Sequence, residues 1–282
     1  MKFLNLLDAG QSRAAVLSED LVHWLEPRAE LGELVRAGQD LDALGSAAIA
    51  RQGGMPLAQA GAFAPLLARP GKVICLGLNY YDHAKEGGRD RPVYPWFFMR
   101  AASSLVGQDQ PVLRPRVSTQ FDYEAELAVV IGRRGRHVKR EDALELVLGY
   151  SCFNDVSVRD YQKKTPQWTI GKNFDATGPF GPWLVPAGQL PTGGKGLRIQ
   201  CRVNEQVTQD ANTSDMIFDV AETIALLTEC MTLEPGDVLV MGTPAGVGFA
   251  RQPPLWLKDG DTVEVDIEGI GCLRNPVTDE LA

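Results

Sequence analysis

The chain has 282 residues, 44% of them hydrophobic, and its 36 acidic against 28 basic side chains give a formal net charge of −8. This composition is typical of a folded globular protein with one large domain, or with one domain and a small addition. It argues against a disordered chain and against a nucleic-acid partner, because binding to nucleic acid depends on clustered Lys and Arg.

Apolar runs and cysteines exclude further classes of protein. No apolar run approaches the roughly 18 residues of a membrane span, and residues 3–7 are too short for a signal-peptide core. We therefore expect a cytoplasmic protein with no membrane partner. The five cysteines are scattered without a Cys-x-x-Cys pair, which predicts neither a disulfide framework nor a zinc ribbon. With three histidines and no His-Glu-x-x-His motif, any metal site should use oxygen ligands.

The chain is predicted to divide near residue 69. Residues 1–68 are rich in Ala, Leu and Glu and favour helices, which predicts a small N-terminal domain that ends before Pro70-Gly71. From 69 to 282, short β-branched runs bounded by turn residues predict a strand-dominated domain. The predicted strands lie at residues 73–77, 127–131, 197–203, 238–241 and 262–267. Helices are predicted at about 140–146 and 219–231, and the Gly- and Pro-rich segment 178–196 is predicted to be turn and loop.

The segment from Phe121 to Ile131 carries the first candidate site. In one continuous strand, alternation would place Asp122, Glu124 and Glu126 on a single face, with neighbouring carboxylates roughly 7 Å apart. On a solvated edge strand this pattern would have no function. Five apolar residues follow it, however, which favours a covered strand where uncompensated carboxylates are costly. A cation such as Mg²⁺, Mn²⁺ or Ca²⁺ would resolve the conflict, because these ions prefer carboxylate oxygens.

Two more polar motifs could contribute to a site. Asp155, Arg159 and Gln162 are spaced by four and three residues, so on a helical turn they would share one face. They could form an ordinary surface ion pair, or a further metal ligand beside groups that hold a polar substrate. His83 and Glu86 are one helical turn apart, so the carboxylate could fix the tautomer of the imidazole and raise its basicity. A surface pair is again the alternative.

Glycines shape two further segments. Gly87-Gly88 follows the turn that carries His83 and would let that turn move as a lid. Residues 242–248 have the sequence Gly-Thr-Pro-Ala-Gly-Val-Gly after a strand predicted to be buried, and their backbone N–H groups could bind a carboxylate or phosphate. The segment lacks the Gly-Lys-Ser/Thr ending of a Walker A motif, so a simple tight turn is the alternative.

In this order, over residues 70 to 277, these motifs resemble the fumarylacetoacetate hydrolase family. The resemblance is carried by residues 77–86, 123–127, 154–162, 171–175, 231–248 and 267–276. It implies an α+β, β-rich fold with a mixed β-roll in the C-terminal domain, and a homodimer. It also implies a bound Mg²⁺, Mn²⁺ or Ca²⁺ whose ligands correspond to Glu124, Glu126 and Asp155.

The resemblance also implies roles for other side chains. It assigns catalysis to His83, Glu86, Lys172 and Gln162, and substrate contacts to Arg159 and Thr243. One departure is visible, because residues 98–103 are Phe-Met-Arg-Ala-Ala-Ser where many relatives have Phe-x-Lys-Pro-x-Ser. Arg100 thus has a planar fork in place of a lysine's point charge. We expect Arg100 to contact the substrate and to change which substrate is preferred.

The implied function is a metal-dependent hydrolase of aromatic-compound catabolism. It would cleave the C–C bond of an acylpyruvate, such as a fumarylpyruvate-like 1,3-diketo acid, to pyruvate and a carboxylic acid. The 2-oxo acid would chelate the metal, and the resulting electron sink would weaken the adjacent C–C bond. The same sink serves oxaloacetate-type decarboxylation and hydroxymuconate-type isomerisation or hydration, which remain alternatives. A metal-stabilised domain that only binds an acid is the non-enzymatic alternative, and a base on a lid weighs against it.

Overall fold

The molecule is built around packed β-sheets. The computed structural model describes residues 1–51 and 53–281. Its strands are β1 Lys2–Asp8, β2 Gln11–Ser18, β3 Leu21–Trp24, β4 Met55–Pro56, β5 Val73–Gly77, β6 Trp96–Arg100, β7 Leu105–Val106, β8 Val112–Arg114, β9 Phe121–Asp122, β10 Ala125–Ile131, β11 Val147–Asn154, β12 Ser157–Val158, β13 Gly178–Pro186, β14 Arg198–Val203, β15 Gln206–Asn212, β16 Val238–Val240, β17 Thr262–Ile267 and β18 Gly271–Asp279. Its α-helices are α1 Leu31–Arg36, α2 Leu41–Ala50, α3 Tyr81–Glu86, α4 Arg159–Gln162, α5 Thr169–Lys172 and α6 Val220–Cys230. Short 3₁₀ helices lie at Leu57–Gln59, Ala102–Ser104, Arg140–Leu146, Ala187–Gln189, Thr192–Gly194, Thr213–Asp215 and Gly248–Ala250.

The larger sheet is mixed. Its strand order is β4-β3-β2-β1-β13-β11-β10-β16-β5-β6, with β7 beside β13. β16 pairs with β5 and β7 pairs with β13 in parallel, whereas β10 is antiparallel to both of its neighbours. The smaller sheet has the order β15-β14-β17-β18-β8, and β9 and β12 form a separate short pair. This arrangement confirms the β-rich α+β fold predicted from the sequence.

β10 lies inside the larger sheet and is buried on both faces. Its odd-numbered residues, from Ala125 to Ile131, join the core between the two sheets together with side chains of β14 and β17. Ala128 and Val130 point the other way, into a second core that includes side chains of α1, β1 and β2. Because side chains alternate across a strand, this one strand contributes to both cores, which explains its uninterrupted apolar run.

Most of the predicted elements are confirmed. The strands predicted at residues 73–77, 127–131, 197–203, 238–241 and 262–267 correspond to β5, β10, β14, β16 and β17. The helix predicted at 219–231 is α6, which buries Val220, Ile224 and Leu227 on one face, and the helix predicted at 140–146 is a 3₁₀ helix. In the described residues 1–51 and 53–281, no helix is both long enough and apolar enough to cross a membrane.

The helical prediction is wrong for residues 1–24. β1, β2 and β3 form an antiparallel ladder there, joined by turns with left-handed φ values at Ala9, Gly10 and Glu19. These tight turns and the burial of the strands override the helix preference of the alanines. β1 also pairs with β13 through Phe3 and Leu184, so the larger sheet continues across residue 69. The division into two domains stays a prediction.

The Gly- and Pro-rich segment 178–196 is only partly turn and loop. Its first half is β13, which pairs with β1 and β11 and buries Phe180, Leu184 and Val185. The pairing with β11 shifts register between Tyr150 and Cys152, which relaxes the ladder where a proline cannot donate an N–H. The prediction of a loop over residues 178–186 is therefore wrong.

Candidate active site

Four strands of the larger sheet meet at one edge. β10 begins at this edge, where its first residue Ala125 is paired with Asn154, the last residue of β11. β16 and β5 are parallel and both end at the same edge, with Val240 paired with Cys75. The segments next to these strand ends consequently lie side by side. They carry residues predicted from the sequence: Glu124 and Glu126 at β10, Asp155 after β11, Thr243 after β16 and His83 after β5.

Glu124, Glu126 and Asp155 come together in the structure. One carboxylate oxygen from each lies within 4.8 Å of the others, and all three side chains are buried. The Asp155 N–H donates to the Glu124 carbonyl at 2.9 Å, so strand pairing continues past the end of β11 and holds these two residues together. The Lys172 ammonium lies 2.6 Å from Glu124 Oε2 and 2.5 Å from Asp155 Oδ2. We call Glu124, Glu126 and Asp155 the carboxylate trio.

Asp122 is not part of the trio, so the prediction of a single acidic face is wrong for this residue. β9 ends at Asp122 and β10 begins at Ala125, and the interval between them breaks the alternation. Asp122 instead accepts hydrogen bonds from Gly248 N at 2.7 Å and from Arg159 Nε at 2.8 Å. Asp122 thus holds Arg159 and the backbone of Gly248 in place next to the trio.

The electrostatics of the trio suit a divalent cation. Burial raises the pKa of Glu124, but the Lys172 ammonium and the Arg159 guanidinium outweigh burial and lower that pKa to about 2. Burial and the carboxylates of Asp155 and Glu124 raise the pKa of Glu126 well above its usual value. The Lys and Arg side chains of the protein therefore compensate the negative charge of Glu126 only weakly. Three converging carboxylate oxygens are the donor set that Mg²⁺, Mn²⁺ and Ca²⁺ prefer, so the residues fit such an ion.

Two short helices place further polar groups beside the trio. A Cβ on Gly171 of α5 would lie 2.4 Å from Gln162 N, so only glycine permits this close approach of α5 to α4. Arg159 Nη1 donates to Gln162 Oε1 at 3.0 Å, which leaves the Gln162 amide N–H groups for a ligand. Arg159 Nη2 lies 2.7 Å from Glu124 Oε1, but no acceptor among the described residues is well directed towards it. Asp155 precedes α4 and is not on the predicted shared helical face.

Helix α3, which was predicted to move as a lid, presents a histidine. As the spacing predicts, His83 Nδ1 and Glu86 Oε1 are 2.8 Å apart, and Glu86 Oε2 accepts from Gly246 N at 2.9 Å. Both oxygens of the carboxylate are therefore held. A proton on Nδ1 would be bound by Glu86, which leaves Nε2 as the basic atom. His83 is buried and lines the cavity described below.

The loop 242–248 binds carboxylates of the protein itself. Gly242 N donates to Glu126 Oε2 at 2.5 Å. In the same way, Gly246 N donates to Glu86 of α3 and Gly248 N donates to Asp122 of β9. Gly242 has a φ of 88°, and a Cβ there would lie 2.6 Å from the Cβ of Asn79, so this position requires glycine. The N–H groups predicted to bind a substrate anion at these three positions are thus already used.

Thr243 is buried and lines the cavity, but its hydroxyl is engaged. It donates to the Ala125 carbonyl at 3.0 Å and accepts from Gln209 Nε2 at 2.7 Å. Because a hydroxyl has one proton, Thr243 has no donor left for a substrate carboxylate in this arrangement. Its contact with a substrate stays a prediction and is limited here to packing or to accepting a hydrogen bond.

A cavity of about 620 Å³ opens over Glu124 and Glu126 of the trio. Its polar floor is formed by Glu124, Glu126, Arg159, Gln162 and Lys172, with His83 beside it. Its wall is aromatic: the ring centroids of Trp96 and Phe98 each lie 5.6 Å from that of Trp168. The sequence alone does not predict this wall, because Trp96 and Trp168 are 72 positions apart and no motif links them.

Arg100 lies outside this cavity, contrary to the predicted substrate contact. Its side chain is fully buried and its Nη1 donates to Asp155 Oδ1 at 2.5 Å. The expectation was wrong because the guanidinium turns away from the cavity, towards the side of Asp155 that is remote from Lys172. Sequence spacing could not show this direction.

Comparisons with known proteins cover most of the chain. The C-terminal model of fumarylacetoacetate (FAA) hydrolase matches residues 72–278. The mitochondrial oxaloacetate tautomerase FAHD2A of Homo sapiens is 43% identical over 225 residues, which are 79% of this chain and 71% of that protein. The solved fumarylacetoacetate hydrolase of psychrophilic Exiguobacterium antarcticum is 35% identical, with a TM-score of 0.84 over 99% of this chain and 100% of the other. The maleylpyruvate hydrolase of Sphingobium sp. SYK-6 is 30% identical, with a TM-score of 0.83 over 99% and 100%.

Proposed function

Because this chain belongs to the fumarylacetoacetate hydrolase family, whose members are hydrolases, isomerases and tautomerases, we propose that it is a metal-dependent acylpyruvate hydrolase. It would cleave the C–C bond of a 1,3-diketo acid and release pyruvate and a carboxylic acid. One observation carries the proposal: His83, whose Nδ1 is held by Glu86, lines the same cavity as Glu124 and Glu126 of the carboxylate trio. A base and an electron sink in one site are what hydrolysis of this bond requires.

The carboxylate trio would hold Mg²⁺ or Mn²⁺. When bound, such an ion supplies a Lewis acid that polarises the 2-oxo acid. The protein's own donors complement it. Arg159 and Gln162 line the cavity and each retain an N–H group for a substrate oxygen, so they would stabilise charge that develops on the acyl oxygen. Lys172 adds a positive charge at the floor.

His83 would activate the water. Glu86 holds Nδ1, so Nε2 would take a proton from water while the water oxygen bonds to the acyl carbon. The bond between the acyl carbon and the methylene of the pyruvate unit then breaks. Its electron pair leaves on the pyruvate unit, which takes up a proton to become pyruvate. The acyl carbon leaves as a carboxylic acid.

The size of the cavity supports a substrate longer than a four-carbon diacid. A volume of about 620 Å³ lies within the range of roughly 300–1,000 Å³ typical of sites for larger small molecules. The aromatic wall of Trp96, Phe98 and Trp168 offers apolar surface to an unsaturated acyl chain. Such acyl chains arise in the breakdown of aromatic compounds, which is the metabolic setting we propose.

Oxaloacetate tautomerisation is the second candidate, because a relative with that name is 43% identical. This reaction moves one proton between carbon and oxygen and needs no attack by water. His83 could carry that proton with the same geometry, so the two candidates differ in whether water is consumed and a C–C bond is broken.

A substrate panel separates the two candidates. The purified protein would be given Mg²⁺ or Mn²⁺ and, in separate reactions, acetylpyruvate, fumarylpyruvate and enol-oxaloacetate. We expect pyruvate release from at least one acylpyruvate, measured by coupling to NADH oxidation with lactate dehydrogenase. Fast loss of the enol absorbance of oxaloacetate without cleavage of any acylpyruvate would instead support the tautomerase and refute the hydrolase.

A further inference from the structure

Arg100 is held on every side by the protein. Its Nε donates to Ser104 Oγ at 3.2 Å, its Nη1 to Asp155 Oδ1 at 2.5 Å and its Nη2 to Thr177 Oγ1 at 2.8 Å. Nη1 also reaches the Val156 carbonyl at 3.2 Å. The side chain is fully buried, so these contacts fix the plane and the position of the guanidinium. A lysine could supply the charge but not the three-sided fork.

The contact with Arg100 leaves one carboxylate oxygen of Asp155 for a ligand. Oδ1 is bound by the guanidinium, whereas Oδ2 accepts from the Lys172 ammonium, which also donates to Glu124 Oε2. A cation held by the trio would take the place of this flexible ammonium at Oδ2. The other carboxylates of the trio follow the same pattern. Glu124 Oε1 lies 2.7 Å from Arg159 Nη2, and Glu126 Oε2 accepts from a backbone N–H. Apart from the contacts of the Lys172 ammonium with Glu124 and Asp155, each member of the trio thus has one oxygen held by the protein.

We propose that Arg100 is a positioning residue that makes the trio select small, octahedral cations over Ca²⁺, by keeping Asp155 a one-oxygen ligand. Mg²⁺ and Mn²⁺ accept single oxygens in octahedral geometry, whereas Ca²⁺ takes more oxygens and often binds both oxygens of a carboxylate. This inference rests on the metal site of the proposed function. It adds that the selectivity of that site depends on a residue that contacts neither metal nor substrate.

Calorimetric titration of metal-stripped protein with Mg²⁺ and with Ca²⁺ tests the proposal without any activity assay. The key variant is Arg100→Lys, which retains the charge and removes the fork. Thr177→Val keeps both Arg100 and Asp155 and removes the acceptor of Nη2, together with the hydroxyl's hydrogen bond to the Phe174 carbonyl, so it tests positioning with every charge in place. Arg202→Lys is the matched control. Arg202 pairs with Glu264 and Asp266 in the smaller sheet, away from the trio.

Removal of a group that orients a metal ligand typically costs roughly 10- to 100-fold in metal affinity. For Arg100→Lys we expect the affinity for Mg²⁺ to fall by about tenfold or more and that for Ca²⁺ to change by less than about threefold. The ratio of the two dissociation constants should shift in the same direction, and less, in Thr177→Val. It should not change in Arg202→Lys.

The outcomes separate this inference from the proposed function. An equal loss for both ions, or an unchanged ratio in both Arg100→Lys and Thr177→Val, would mean that Arg100 contributes only charge or stability, and would overturn the inference alone. If the unsubstituted protein bound neither ion, the metal site itself would be refuted. Circular dichroism of each variant confirms its fold, and should Arg100→Lys not fold, the ratio in Thr177→Val decides.

Discussion

Replacing Glu126 by Gln should weaken the binding of Mg²⁺ and Mn²⁺ strongly. The substitution preserves the shape of the side chain and the hydrogen bond from Gly242 N, which is 2.5 Å from Oε2, but removes one of the three charges of the trio. Glu126 is the member whose charge is least compensated, because burial and the neighbouring carboxylates raise its pKa well above the usual value. A bound cation would supply the compensation that the carboxylate of Glu126 lacks.

The expected loss follows from electrostatics. Two unit charges 4 Å apart interact by roughly 4 kcal/mol at an effective dielectric constant of about 20. A neutral amide retains a ligand oxygen and costs less to bury, which offsets part of this loss. We therefore expect a net loss of at least about 1.4 kcal/mol, or about tenfold in the dissociation constant.

Isothermal titration of the metal-stripped protein measures this loss directly. Glu30→Gln is a suitable control, because Glu30 is also a buried glutamate that accepts from a backbone N–H, that of Gly32 at 2.9 Å. It lies before α1, outside the trio. Glu30→Gln should bind metal like the unsubstituted protein. Equal affinities of Glu126→Gln and the unsubstituted protein would refute the assignment of the trio as a metal site.

Three further outcomes are expected. His83→Ala should lower kcat by roughly 10²- to 10⁴-fold and leave metal binding unchanged in calorimetry; loss of metal, or full activity, would remove His83 from the role of base. Trp168→Ala should raise KM for fumarylpyruvate more than for acetylpyruvate, because the longer acyl chain loses more of the aromatic wall; equal effects would place the acyl chain elsewhere. Hydrogen exchange of residues 79–92 should slow when oxalate and Mg²⁺ are added, since α3 is short and is followed by Gly87-Gly88; unchanged exchange would indicate a lid that is already closed.

The five strands and the helix α6 that the sequence predicted in the C-terminal part are present, and the reasons are local. β5 and β17 appear as short β-branched runs bounded by turn residues, and α6 as apolar residues at helical spacing. β1 to β3 form local hairpins that composition does not distinguish from helix, and their place in the sheet and that of β13 depend on long-range pairing. The β1 to β13 contact joins Phe3 to Leu184, and composition carries no information on such a pair.

In the candidate site, too, local contacts were predictable from the sequence and contacts between distant segments were not. The spacing of Glu124 and Glu126 and the motif around Asp155 led to three carboxylates that meet in the structure. The His83–Glu86 contact was also predictable, since one helical turn fixes it. The direction of Arg100 was not predictable, because it depends on Ser104 and Thr177, which lie on other segments.

Mass spectrometry in ¹⁸O-labelled water tests the proposed hydrolysis most directly. If His83, oriented by Glu86, activates a water that attacks the acyl carbon, the carboxylic acid released from fumarylpyruvate must carry ¹⁸O and appear in equal amount with pyruvate. The rate should collapse in Glu86→Ala, which removes the partner of His83 Nδ1. If no labelled acid forms from any acylpyruvate while enol-oxaloacetate is rapidly converted, the proposed hydrolysis is wrong.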